Sequence, residues 1–296
     1  MSAMAETSYS RPAGPAARQR TLELADGYGV EVLEHAPPAG APPGPPVVYL
    51  HGIQSHRGWF TGTARALAES GCRVYQVTRR GSGPCQADRG HARSVGQLLD
   101  DLDRAVELAR AEAPGGRPAL LAVSWGGKLA AAYALDRPGR LASLTLVAPG
   151  LAARVGVPAP TRLAIAACAA LAPRRLFDIP LNDVALFTDN PDMRRYLEQD
   201  AFRLHRATAR FLACSALLDR RLARAADGSL AGVPTTLILA SRDRIIDDER
   251  TRRLVSRLTA GRADVRILEG CHTLEFEPDI AGLSADLARA VRATRQ

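Results

Sequence analysis

The sequence predicts an α/β protein: a mostly parallel sheet with helices on both faces and a helical segment inserted between two of its strands. Three observations lead there. Short apolar runs of strand length alternate with helix-period segments along most of the 296 residues, the pattern left by strand–helix crossovers in a parallel sheet. One such run passes through Ser124 straight into a helical segment. Between Pro149-Gly150 and Gly232-Val233-Pro234 the alternation stops, and residues 151–233 read as helical throughout.

Taken in order, residues 1–20 are small, polar and Pro-containing without periodicity, and are expected to form a mobile arm. Thr21–Leu24 and Val30–Leu33 alternate on either side of Ala25-Asp26-Gly27, a hairpin signal. A Pro-rich connector, Ala36 to Pro46, leads to the expected parallel strands Val47–Leu50, Arg73–Val77, Ala119–Val123, Leu144–Val147, Thr235–Ala240 and Val265–Leu268. Ser94 with Gln97 three residues on reads as a helix start, and Leu98, Leu102, Ala105 and Leu108 or Ala109 mark one face of that helix. Leu254, Val255 and Leu258, stopped by Gly261, give another; Ile280, Leu283, Leu287 and Val291 after Pro278 give the last. The core is thus expected from 21–150 and 234–296, with 151–233 lying over it as a cap.

Composition narrows the function. Apolar residues make up 46% and charged residues 24%, which fits a globular chain and excludes collagenous, disordered and disulfide-scaffold classes. The net charge is +8, but the 39 basic residues, all arginine except Lys128, are spread among alanines and acids. They form no basic stripe interleaved with aromatics, so no nucleic-acid partner is expected. Cys72, Cys85, Cys168, Cys214 and Cys271 are odd in number and make no C-x-x-C pair, pointing to reduced thiols rather than a disulfide framework or a zinc site. No apolar run reaches the length of a membrane span, and the N-terminus has no secretory h-region, so a cytoplasmic location is expected. The longest apolar stretch, Leu163–Leu171, is flanked by Arg162 and by Arg174-Arg175. It reads as a buried or lid helix covering the core, with a wall of the substrate pocket or its entrance, or a membrane-touching surface, as the other readings.

The chemistry centres on Ala122-Val123-Ser124-Trp125-Gly126. A serine between small residues, with a strand before it and a helix after, is the context of a nucleophile elbow, whose strained turn lifts the hydroxyl above the sheet. Alanine here replaces the usual first glycine. A serine hydroxyl needs a base, and the base needs a carboxylate. His272 follows the last strand and Asp243 follows the strand before it, so the order Ser124, Asp243, His272 is the one this architecture uses. Asp247 is a rival acid, but Asp247 and Asp248 sit where the next helix should start. Two fixed donors are needed for the tetrahedral oxyanion: the N–H of Trp125 after the elbow, and the N–H of Ile53 in His51-Gly52-Ile53 after the first parallel strand. This chemistry calls for no cofactor and no metal. Cys271 is read as a packing residue, Lys128 as a helix-surface charge, and Arg79 and Arg80 as loop anchors rather than a phosphate site.

His51-Gly52, Arg79-Arg80-Gly81-Ser82-Gly83, Ser124 in its elbow, Asp243 and His272 together resemble the serine α/β-hydrolase superfamily. The helical insertion, with Asp192 to Phe211 ahead of the aspartate strand, is similar to the cap of its monoacylglycerol lipase and lysophospholipase branch. The resemblance implies the α/β-hydrolase fold and a carboxylic ester hydrolase working through an acyl-enzyme on a small acyl ester. Thioesterase or acyltransferase action with the same triad, and a non-catalytic receptor on the same fold, stay open beside it. One departure concerns Thr78-Arg79-Arg80, where relatives usually carry an acidic residue before the Arg-Gly pair, so that loop is not expected to make the local salt bridge. Peripheral membrane contact through the cap is compatible with the resemblance; oligomeric state and acyl-chain length are left open.

Overall fold

Among the described residues ten strands carry the fold: β1 (Arg18–Glu23), β2 (Gly29–His35), β3 (Val47–Leu50), β4 (Val74–Val77), β5 (Ala119–Val123), β6 (Ser143–Val147), β7 (Leu176–Asp178), β8 (Arg206–Thr208), β9 (Thr235–Ala240) and β10 (Asp264–Leu268). Eight of them form one sheet in the order β1-β2-β4-β3-β5-β6-β9-β10. This computed structural model describes residues 17–111 and 116–293. The expected arm at 1–20 therefore falls mostly outside the described residues, and β1 begins at Arg18, three residues before the alternating run at Thr21.

β1 pairs antiparallel with β2, and β2 antiparallel with β4; from β4 through β3, β5, β6 and β9 to β10 the pairing is parallel. Every residue of β3, β4, β5, β6 and β9 is buried, which is why these strands are mostly apolar and carry no charged residue on either face. A parallel strand covered by helices on both faces has no polar side.

The helices are α1 (Thr61–Glu69), α2 (Val95–Ala111), α3 (Trp125–Asp136), α4 (Ala159–Leu171), α5 (Pro191–Gln199), α6 (Ala209–Arg224), α7 (Asp248–Leu258) and α8 (Ala281–Val291). α1 and α8 pack together on one face of the sheet; α2 and α3 cover the other. The start of α2 follows the capping logic. Ser94 Oγ accepts the N–H of Gln97 at 3.0 Å and Gln97 Oε1 accepts that of Arg93 at 2.8 Å, an arrangement that stabilises a helix by about 0.5–2 kcal/mol. Leu98, Leu99, Leu102, Ala105, Val106 and Ala109 are then buried along one side, each leucine contributing about 1.5–3 kcal/mol.

Residues 151–233 run between β6 and β9 and hold α4, α5 and α6, but they are not wholly helical. β7 and β8 pair antiparallel as a separate two-stranded sheet, Phe177 opposite Ala207. At three residues each, these strands are too short to leave a periodic signal. The apolar stretch of α4 also departs from expectation. Leu163, Ala167 and Leu171, spaced at i, i+4 and i+8, form an exposed stripe, with Leu163 and Leu171 73% and 86% exposed. Ile165 and Ala169, half a turn away, are the buried pair, and α4 packs against α6. The stretch is therefore not a buried pocket wall.

Candidate active site

β5 ends at Val123, and Ser124 takes φ 53° and ψ −127° before α3 begins at Trp125. That backbone is strained for a residue with a side chain, costing of order 1–3 kcal/mol, and persists because its surroundings fix it. The Ser124 N–H donates to Val147 O at 3.0 Å, and Ser124 O accepts from Gly127 at 2.8 Å and Gly150 at 2.7 Å. The turn also needs its small neighbours. A Cβ on Gly126 would lie 2.5 Å from His51 O, and one on Gly127 2.6 Å from Pro149 Cβ. Ala122 takes the place of the customary glycine with complete burial.

Ser124 Oγ makes no capping bond to α3; it lies 3.0 Å from His272 Nε2. His272 Nδ1 is 2.8 Å from Asp243 Oδ2. The other carboxylate oxygen, Oδ1, accepts the N–H groups of Ile245 at 2.8 Å and Ile246 at 2.9 Å. Because Oδ2 can only accept, Nδ1 carries a proton and Nε2 faces the serine hydroxyl as acceptor. Burial alone would raise the Asp243 carboxyl, but the charge and hydrogen bond of His272 and the two backbone donors outweigh it and hold the carboxyl below the ordinary aspartate value. Asp247 is elsewhere: its side chain accepts Arg250 N–H and caps α7.

Ser124, Asp243 and His272 each follow the carboxyl end of a parallel strand, so three separate loops meet at one sheet edge, where open α/β sheets place their sites. A fourth loop joins them after β3. Gly52 approaches the serine so closely that a Cβ there would lie 3.1 Å from Ser124 Cβ and 3.4 Å from Oγ. Its N–H donates to Ser55 Oγ at 2.8 Å. The N–H groups of Ile53 and Trp125 follow on the two sides of this contact and have no acceptor among the described residues.

Residues 151–233 touch the site at several points. Trp125 stacks on Phe211 of α6, ring centroids 5.0 Å apart, and its Nε1 donates to Ser215 Oγ at 2.9 Å. Lys128, expected on the helix surface, is instead 7% exposed and paired with Asp219 at 2.6 Å. Its partner lies ninety-one positions further along the chain, in α6, so nothing local in the sequence signals the pairing. Cys271 is buried as expected, its thiol donating to Asp189 at 3.1 Å. Arg80 finds the acid that its own loop lacks: Asp101 at 2.8 Å and Asp26 at 2.9 Å. Arg79 has no such partner and donates to the carbonyls of Gly52 and Ile53.

A strand–serine–helix elbow, a histidine and aspartate on the next two loops in that architecture's order, and a mostly parallel eight-stranded sheet define an α/β-hydrolase-fold serine hydrolase. Residues 41–279 match the family described as serine aminopeptidase, S33, and the chain belongs to it. Among curated relatives, a monoacylglycerol lipase of Mycolicibacterium smegmatis is 25% identical over 237 residues, 79% of this chain and 82% of that protein. Among solved structures, a soluble variant of monoglyceride lipase from Saccharomyces cerevisiae in complex with a substrate analogue superposes with a TM-score of 0.83 at 16% identity, covering 98% of this chain and 99% of that one. The monoacylglycerol lipase of Paleococcus ferrophilus gives a TM-score of 0.73 at 21% identity, covering 88% and 97%.

Proposed function

We propose that the protein hydrolyses monoacylglycerols or closely related acyl esters, lysophospholipids among them, through an acyl-enzyme on Ser124. The observation that carries this reading is the unbroken relay from Asp243 to His272 to Ser124, at 2.8 and 3.0 Å, ending on a strained elbow. Ser124 Oγ attacks the ester carbonyl while His272 Nε2 takes its proton, and Asp243 keeps the imidazole in the Nδ1–H tautomer and stabilises its cation. The tetrahedral oxyanion lies between the N–H groups of Ile53 and Trp125, each worth about 2.7–4 kcal/mol at such sites. His272 then returns the proton to the leaving alcohol. Water, deprotonated by His272, attacks the acyl-enzyme and releases the acid and the free serine.

Residues 151–233 act in this reading as a cap. Phe211, Ser215 and Asp219 of α6 rest on Trp125 and Lys128 of α3, so the insertion roofs the elbow. The exposed stripe of α4 serves as a peripheral contact with lipid, the phase from which such substrates come. No helix among the described residues is long and apolar enough to cross a membrane. All five cysteines are free, which suits a reducing, cytoplasmic compartment.

The test pairs a fluorophosphonate with a substrate panel. Labelling should fall on Ser124 and vanish in Ser124→Ala, whose kcat should drop by about 10⁴–10⁶ with folding intact. The panel sets monoacylglycerols of graded chain length against lysophospholipids and acyl thioesters. Activity of Ser124→Ala within tenfold of wild type would remove the reading.

A further inference from the structure

Arg79 is 5% exposed, and no carboxylate among the described residues comes within ion-pair distance of it, although thirty-one acidic residues are available in the chain. Its neighbour Arg80 holds two carboxylates. The Arg79 guanidinium lies 4.7 Å from the ring centroid of Trp125 and 5.8 Å from that of Phe211. Nε and Nη1 have no hydrogen-bond partner among the described residues. Nη2 makes the only polar contacts of the guanidinium among the described residues, donating to Gly52 O at 2.7 Å and Ile53 O at 3.1 Å. A buried cation without a counter-charge is costly to keep, so what it touches is informative.

Gly52 O and Ile53 N–H belong to one peptide unit. That unit is planar and trans, so its carbonyl and its N–H point in opposite directions. Gly52 O receives a second donor, His51 Nδ1 at 2.9 Å. The tautomer of His51 is fixed from its far side, where Nε2 accepts the backbone N–H of Arg79 at 3.1 Å; Nδ1 must then carry the proton. Burial and the nearby Arg79 charge keep this imidazole neutral by pushing it well below the ordinary histidine value. Arg79 therefore acts on the Gly52 carbonyl twice, directly through its side-chain Nη2 and indirectly through its backbone N–H and His51, the second contact being one that side-chain substitution leaves in place.

We propose that Arg79 is a positioning residue of the oxyanion hole: it clamps the Gly52–Ile53 peptide with a cation on its carbonyl side, which orients the opposite N–H toward the reacting carbonyl and strengthens it as a donor. The physical basis is polarisation along hydrogen-bonded chains in a low dielectric. A charge-assisted bond draws electron density to the oxygen and leaves the N–H more positive. The orphaned Nε and Nη1 fit this role, because the cation is not neutralised by any acid and its field reaches the developing oxyanion. This inference rests on the acyl-enzyme reading given above.

The test uses the full chain with Arg79→Met and Arg79→Lys, a short acyl ester, and two inhibitors. An alkyl trifluoromethyl ketone forms a serine adduct that places an oxyanion in the hole; the matching methyl ketone binds without reacting. Loss of a whole oxyanion donor costs about 10²–10³ in kcat, so loss of its clamp in Arg79→Met should cost about 10–100-fold, with KM within about threefold of wild type. Affinity for the trifluoromethyl ketone should fall by the same factor as kcat/KM, and affinity for the methyl ketone should not change. Arg79→Lys keeps a cation of intrinsically lower pKa in a desolvated site, so its kcat should decline at a lower alkaline pH than that of wild type. This second variant decides the matter if Arg79→Met does not fold.

Folded Arg79→Met with kcat within twofold of wild type would overturn the inference, as would equal losses on the two ketones or an unmoved alkaline limb in Arg79→Lys. Wild-type protein left unlabelled by a fluorophosphonate overturns the acyl-enzyme reading and this inference with it. Labelled wild type beside an undiminished Arg79→Met overturns this inference alone.

Discussion

Phe187 sets its ring edge-on to the imidazole of His272, centroids 6.0 Å apart, while its carbonyl accepts the N–H of Thr273 at 3.0 Å. Two residues further on, Asp189 accepts from Arg244 at 2.9 and 3.1 Å and from the Cys271 thiol at 3.1 Å. Arg244 follows Asp243 directly, and Cys271 directly precedes His272. One short segment of the insertion thus holds both loops that converge on Ser124. The placement of the insertion and the geometry of the triad are mechanically linked.

Asp189→Asn should loosen that link. A full 1 Å misplacement near the chemistry costs about 10² in rate; with Phe187 still in place, kcat should fall by about tenfold or less. Hydrogen bonds from Arg244 and Cys271 hold the Asp189 carboxyl down at about 2, against 3.8 for a free aspartate. A carboxyl lowered on folding stabilises the fold fully above its unfolded value and loses that contribution as pH falls through its folded value. The difference in Tm between Asp189→Asn and wild type should then stay flat from neutral pH down to about pH 5. A difference that varies across that range would show that another group carries the effect.

Asp243→Asn should leave the fold in place and lower kcat by about 10⁴, since an amide favours the wrong imidazole tautomer. Its neighbour four residues on behaves differently. Asp247 caps α7, so Asp247→Asn, which keeps a capping oxygen, should cost at most a few tenths of a kcal/mol, and Asp247→Ala about 0.5–2 kcal/mol, with kcat unaltered in both. Steady-state kinetics and thermal melts of the three variants check this directly. A larger kcat loss in Asp247→Asn than in Asp243→Asn would reverse the assignment of the acid.

What the sequence revealed and concealed follows from range. Ser124, Asp243 and His272 could be picked out as candidates because each sits just past an apolar run, and a parallel sheet brings all carboxyl ends of its strands to one edge. Asp247 could be set aside because helix capping is local. Lys128 could not be read correctly, because its partner Asp219 is distant in sequence and only the packing of α6 on α3 brings them together. β7 and β8 were hidden by their length. The role of Arg79 was legible only as far as loop anchoring; that it grips the Gly52 carbonyl while Arg80 takes the acids depends on side-chain direction, which sequence spacing does not supply.

Gly52→Ala should separate fold from chemistry in the oxyanion loop. The added Cβ would stand 3.1 Å from Ser55 Oγ, 3.1 Å from Ser124 Cβ and 3.4 Å from Ser124 Oγ, contacts that require the loop to recede by a few tenths of an ångström. Stability should change little, because the neighbouring atoms need give only a few tenths of an ångström. The donors should no longer match the oxyanion, so kcat should drop by about 10²–10³, the loss expected when one oxyanion-hole donor fails, with Ser124 still reactive toward a fluorophosphonate at a reduced rate. Unchanged kcat would mean that the hole lies elsewhere.

Leu163, Ala167 and Leu171 occupy one exposed stripe, and Arg162 and Arg175 stand exposed at its two ends. An apolar stripe flanked by arginines is the form of a surface that settles into a lipid interface, leucines among the acyl chains and guanidinium groups at the headgroups. Two leucines transferred from water into lipid contribute about 3–6 kcal/mol at about 1.5–3 kcal/mol each, enough to govern partitioning. Replacing both by aspartate should therefore reduce turnover of monoacylglycerol presented in anionic vesicles by at least about tenfold, and reduce cosedimentation with those vesicles in parallel. Turnover of a water-soluble acetyl ester should be unaffected, because α4 packs on α6 and its leucine stripe faces away from that packing. The buried side of the helix provides the control: Ile165→Asp strikes the packing against α6 and should lower both activities together through loss of structure. Equal losses on vesicle and soluble substrate in the double variant would show that the stripe supports the fold rather than the interface.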